Sequence, residues 1–181
     1  MTPILGILAS GISGNLWAPG KDYDSIATTT VGAGGVASIT FSSIPSTYRH
    51  LQIRSLMTSS ATGEFTLAFN ADTGANYYRH YLYGDGTLAY AGANANSSFV
   101  GFQAGISANI FGVNVIDVLD YTNTNKNTTV RTLAGMDRNG SGDIALYSGL
   151  WNNTAAITSI TIYPPSGTIS QYSSFALYGV K

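Results

Sequence analysis

The chain has no cysteine, one glutamate (Glu64), two histidines and only 9% Asp, Glu, Lys and Arg in 181 residues. Soluble globular domains carry about a quarter charged residues, so this surface is built instead from Thr, Ser, Asn, Gly and Tyr. Without cysteine there is no disulfide framework and no thiolate metal site. Eight basic residues with no run among them and a formal net charge of −1 leave no electrostatic footprint for nucleic acid or an anionic membrane. No apolar stretch approaches the ~20 residues that span a bilayer. A Gly-x-Ser-x-Gly elbow is also missing, and no local signature marks a catalytic triad. These absences point to packing and binding, not to an enzyme, and to no cofactor.

What is present begins with length: 181 residues suffice for one well-buried core and are short for two. The apolar leader Met1-Thr-Pro-Ile-Leu-Gly-Ile-Leu-Ala9 lacks the basic region that precedes the hydrophobic stretch of a secretory signal. We read residues 1–20 as an anchoring arm whose Ile4, Leu5, Ile7, Leu8, Ile12, Leu16 and Trp17 bury themselves on another chain. Left in water, such a stretch invites aggregation. An atypical signal peptide and a first element folded back on its own domain are the alternatives.

After Pro19-Gly20 the pattern changes to short period-two runs bounded by Gly, Asn, Pro and Ser clusters, the mark of strands joined by turns. Strands are predicted over 23–31, 36–42, 49–57, 64–70, 78–83, 99–103, 113–121, 128–137, 144–151, 157–163 and 174–180. Gly32-Ala-Gly-Gly35, Gly84-Asp-Gly86 and Asp137-Arg-Asn-Gly-Ser-Gly-Asp143 supply turns between them. The expectation is an all-β domain over 21–181, a single antiparallel β-sandwich of jelly-roll type. The Gly- and Ala-rich stretch 87–98 reads as a long surface loop, with Tyr90, Asn94 and Asn96 as its receptor-contact residues.

Few constellations carry chemistry. Asp137, Asn139, Ser141 and Asp143 alternate with Gly140 and Gly142, matching part of an EF-type calcium loop. Position twelve is Ser148 instead of Glu, and the flanks read as strands, so a polar β-turn is the preferred reading and no metal is expected. His50 and His80 have no second ligand at metal spacing. Asp117 and Asp120 lie three apart, which on a strand places them on opposite faces and argues against the paired carboxylates of a glycosidase. Asp117 shares a face with Val113, Val115, Leu119 and Tyr121, as a buried acid or at a bend. Tyr77, Tyr78, Tyr81, Tyr83 and Tyr90 crowd one third of the chain, where they either fill the core or stack on sugar.

The opening Met1–Ser10, Tyr23–Thr28, Ile39-Thr-Phe-Ser-Ser-Ile-Pro-Ser-Thr-Tyr48 with His50–Arg54, Phe69-Asn-Ala-Asp-Thr-Gly74, Leu82–Gly86, Asp117-Val-Leu-Asp-Tyr-Thr-Asn-Thr-Asn-Lys126 and Gln171–Val180 resemble a family of small virion proteins of tailed bacteriophages. The resemblance covers nearly the whole chain and implies a place in a virus particle, not a reaction. On that footing the expected role is a host-facing tail fibre, baseplate or receptor-binding component on the virion surface. Its partners would be other virion proteins through the arm, further copies of itself as a trimer, and host glycan or protein. A capsid decoration protein that cements the head lattice is the alternative.

Overall fold

The computed structural model of the protein describes residues 22–97, 100–102 and 110–181. Arm residues Ile4 to Trp17 lie outside them. The described residues contain twelve strands and no helix. In chain order they are β1 (Tyr23–Thr30), β2 (Ile39–Phe41), β3 (His50–Met57), β4 (Phe65–Phe69), β5 (Tyr77–Gly84), β6 (Ala89–Ser97), β7 (Val100–Phe102), β8 (Gly112–Leu119), β9 (Thr128–Asp137), β10 (Gly142–Trp151), β11 (Ile160–Tyr163) and β12 (Ser174–Val180).

They form an antiparallel sheet of eight, β1-β12-β3-β8-β9-β10-β5-β6, and a sheet of four, β2-β11-β4-β7. This is a β-sandwich with unequal layers. From β1 to β4 the chain alternates between the sheets, and it does so again from β7 to β12 apart from one hairpin. Two hairpins, β5–β6 and β9–β10, interrupt the alternation, and both widen the same sheet, since β5 pairs with β10 and β9 with β8.

The core lies between the small sheet and the β12-β3-β8 part of the large one. Leu51 and Ile53 of β3, Ile116 and Val118 of β8, and Phe175 and Leu177 of β12 face Phe65, Leu67 and Phe69 of β4 and Ile160 and Ile162 of β11, all sealed from solvent. Burying each such side chain contributes about 1.5–3 kcal/mol. In β4 the alternation Phe65, Leu67, Phe69 reads as the sequence predicts, although Ala68 is buried as well.

Three expectations are corrected. The stretch 87–98 is no loop: residues 89–97 form β6, the edge strand of the large sheet, in register with β5 from Gly84↔Ala89 to Arg79↔Asn94. Ala, Gly and Asn have low strand propensity, and this strand is held by backbone pairing while its side chains stay mostly exposed. In β8 the faces are reversed: Asn114, Ile116 and Val118 point inward, and Val113 and Val115 stand in solvent. Asp117 is consequently on the outer face, where it accepts from Gln52 Nε2 at 2.8 Å and from Arg131 Nη2 at 2.9 Å. Apolar residues on both faces of β8 remove the phase information that alternation normally carries. Finally, Tyr121 leaves the strand, and its hydroxyl donates to the carbonyl of Pro45.

Candidate functional site

The turn between the sheets sets up the region that follows. After β4, Asn70 and Ala71 take positive φ, and Asp72 accepts from the amide of Gly74 at 2.9 Å and from the Trp151 indole Nε1 at 2.7 Å. Tyr77 donates to the Asp72 carbonyl at 3.0 Å, and the Phe69 amide donates to Tyr77 Oη at 3.0 Å. Phe69, Tyr77 and Trp151 pack as one aromatic group, with Tyr77 and Trp151 stacked at 6.5 Å. The start of β5 and the end of β10 are thereby clamped to the small sheet. Burial pushes the Tyr77 phenol up to about 12, so it acts as a neutral hydrogen-bonding group.

Further along β5 the inward positions are Arg79, Tyr81 and Tyr83. Tyr81 and Tyr83 pack against Ala134, Ala145 and Tyr147 as a second small cluster, separate from the main core. Between this surface and residues Gly63 and Glu64 opens a cleft of about 350 Å³, walled by Arg79, Tyr81, Tyr83, Asp143 and Tyr147. Arg79 pairs with Glu64 and donates from Nε to Asn94 Oδ1 at 3.1 Å. Its guanidinium also lies 5.6 Å from the Tyr81 ring and 5.8 Å from the Tyr147 ring, within cation–π range. Burial drives the Tyr147 phenol far above its ordinary value, and the Glu64 carboxylate adds to the effect through a hydrogen bond. Glu64 oxygens are thus committed to Arg79 and Tyr147, which suits an anchor more than a proton-transfer group.

Tyr83 and Tyr90 stack at 4.6 Å with ring planes 17° apart. Tyr90 keeps 36% exposure, so the pair presents an aromatic surface beside an ion pair. Desolvation, and then the nearby Asp85 carboxylate, raises the Tyr90 phenol. Chemically the cleft offers two aromatic faces, a cation already neutralised by its partner, and amide and carboxylate acceptors. That set suits a polar, uncharged ligand with apolar faces, such as a saccharide.

The structure brings together two of the three receptor-contact residues expected from sequence. Tyr90 stacks on the cleft wall and Asn94 holds its arginine, while Asn96 accepts from Tyr78 Oη at 2.8 Å. Glu64, Arg79, Asp143 and Tyr147 were not anticipated as cleft residues. Glu64 had one signal in the sequence, its being the chain's single glutamate. Of the calcium-loop candidates, Asp137 Oδ1 accepts from the Asn139 amide at 2.8 Å and the Arg138 amide donates to the Ser141 carbonyl at 2.6 Å. They make a hairpin turn, with Asn139 and Gly140 at positive φ, and Asp143 turns to the cleft. Among the described residues no three His, Asp or Glu side chains converge as a metal group would require. His50 Nδ1 accepts from the Asp120 amide at 2.9 Å, and Asp120 also pairs with Lys126, so this cluster staples the end of β8. His80 stands exposed on the outer face of the large sheet.

Comparison with family models, with curated proteins and with solved structures finds no match for this chain.

Proposed function

We propose that this chain is a structural protein of a bacteriophage virion, a host-facing tail fibre, baseplate or receptor-binding component that holds cell-surface saccharide in its tyrosine cleft. The observation that carries the binding half is the stacked Tyr83–Tyr90 pair next to Arg79, Glu64 and Asn94, and the virion half rests on the sequence resemblance. A sugar ring laid on the exposed part of Tyr90 buries its apolar face, and its hydroxyls meet Asn94 and Asp143. The protein binds and does not turn over its ligand. Single contacts of this kind are weak, and repeated copies on one particle supply avidity. Residues 4–17 anchor the subunit to other virion proteins or to further copies, three in the simplest assembly, at the outer surface of the particle. The strand order supports a jelly-roll reading: β1-β12-β3-β8 and β2-β11-β4-β7 are the two halves of such a fold, and β5–β6 and β9–β10 are inserted hairpins that build the cleft.

A glycan array probed with the full chain and with Tyr90→Ala tests the binding half. Retained sugar signal in the wild type and its loss in the variant support it, whereas equal signal in both refutes it. Gold label attached at Lys181 on intact particles tests location. Label at the tail end agrees with the proposal, and label spread over the head overturns it in favour of a capsid decoration protein.

A further inference from the structure

The outer face of the large sheet carries an apolar strip. Leu82, Leu146, Leu133 and Val115 sit directly opposite one another on β5, β10, β9 and β8. In the neighbouring row the order is Gly84, Ile144, Gly135, Val113 and Leu56, so Gly135 separates Ile144 from Val113 and Gly84 ends the row on β5. The exposure of these side chains runs from 37% at Val115 to 64% at Ile144. The two glycines leave a trough beside the leucine ridge, and shallow grooves of about 270 and 200 Å³ follow it. A contiguous apolar strip on a sheet face is a contact surface.

We infer that this strip receives residues 4–9 of the N-terminal arm of a neighbouring copy. The dimensions match one extended segment. From β5 to β3 the strip crosses four strand spacings, about 19 Å, and is roughly 10 Å wide. Six extended residues span about 20 Å, and residues 4–9 place Ile4, Leu5, Ile7 and Leu8 in that length.

Direction selects the neighbour over the same copy. Tyr23 begins β1 at the strand end remote from the strip, because Thr28 and Thr30 are the β1 residues level with its two rows. A segment leading into Tyr23 therefore joins the sheet at the end remote from its own strip. To return along the outer face it would cover the row holding Gln52, Asp117 and Arg131, whose ion pair loses hydration when buried. Arm-to-strip contact between copies is head-to-tail, so a ring closes when each copy gives one arm and receives one. This deepens the arm half of the proposed function and rests on it. The glycan array and the gold label read the cleft and the location, so the two ideas fail separately.

Light scattering on the full chain tests the inference. Wild type is expected at a multiple of 19.0 kDa, and Leu8→Asp and Leu133→Asp are each expected at the monomer mass with unchanged far-ultraviolet circular dichroism. Mixed together they should form a one-to-one pair of twice the monomer mass, since one supplies an intact arm and the other an intact strip. A monomeric wild type, or a mixture that stays monomeric, overturns the inference. The first result with greater dye binding in Leu8→Asp would place the arm on its own sheet. A Leu8→Asp protein that keeps the oligomeric mass of the wild type also overturns it and would indicate pairing through the faces. If Leu133→Asp fails to fold, Val113→Lys in the same strip replaces it.

Discussion

Removing the Asp72 carboxylate isolates one interaction that positions the cleft. Asp72 Oδ2 accepts from Trp151 Nε1 at 2.7 Å and from Asn76 Nδ2 at 3.0 Å, and Oδ1 accepts from the Gly74 amide at 2.9 Å. In Asp72→Ala the partners at Gly74 and Asn76 turn to water and lose little. Trp151 is 1% exposed, so its N–H is left without a partner. A hydrogen bond to a charged group is worth about 1.5–3 kcal/mol, which sets the expected loss at about 2–3 kcal/mol. For a chain of this size that corresponds to a fall in Tm of roughly 5–10 °C. Asp72→Asn keeps an oxygen acceptor and should cost about 1 kcal/mol.

The pH dependence has a definite sign. Chiefly the Trp151 hydrogen bond, then those from Asn76 and Gly74, hold the Asp72 carboxyl below its ordinary 3.8. A carboxyl depressed by folding contributes stability that is fully present above its unfolded value and is lost as pH falls through its folded value. Urea titrations of wild type should therefore show stability dropping below about pH 4, with part of that slope missing in Asp72→Asn. An Asp72→Ala protein within 0.5 kcal/mol of wild type, or an Asn variant as damaged as the Ala variant, refutes the reasoning.

Three further expectations follow from close contacts. A Cβ at Gly92 would meet the Tyr81 hydroxyl, the mobile end of a side chain, so Gly92→Ala should cost about 1 kcal/mol but displace Tyr81 into the cleft; titration with a sugar found on the array should show weaker binding with little change in Tm. At Gly179 the added carbon would enter the Tyr48 ring, and Gly179→Ala should lose about 1–3 kcal/mol by denaturant unfolding, more than Gly135→Ala, whose nearest atom is 3.8 Å away. Thr132 is 1% exposed and its Oγ1 has no partner among the described residues, so the isosteric Thr132→Val should be neutral or raise stability by up to about 1 kcal/mol, and a clear loss would show that the hydroxyl is engaged.

By itself the sequence determined that this is an all-β sandwich. Apolar alternation in runs such as Phe65-Thr-Leu-Ala-Phe69, and Asn-Gly or Gly-rich punctuation at Asn139 and Gly34, are local properties, and local properties specify strands and turns. It also named Tyr90, Asn94 and Asn96, but on a loop where the structure has strand β6. Only the tertiary structure decided which face of β8 is inside. Val113 and Val115 lie outward because β8 has apolar residues on both sides, and the choice is made by what packs against the sheet. The edge strand β6 was invisible for a related reason: an Ala-Gly-Asn segment becomes a strand through pairing with β5, a partner supplied by the fold and not by its own side chains. The cleft is the clearest case. Glu64, Arg79, Tyr90 and Tyr147 are spread over more than eighty positions; β10 pairs with β5 across a long sequence gap, β6 adds Tyr90 at the edge, and Glu64 comes from just before β4 in the other sheet. Pairing at a distance leaves no period in the sequence, and a site assembled from it becomes readable only when the sheet is in place.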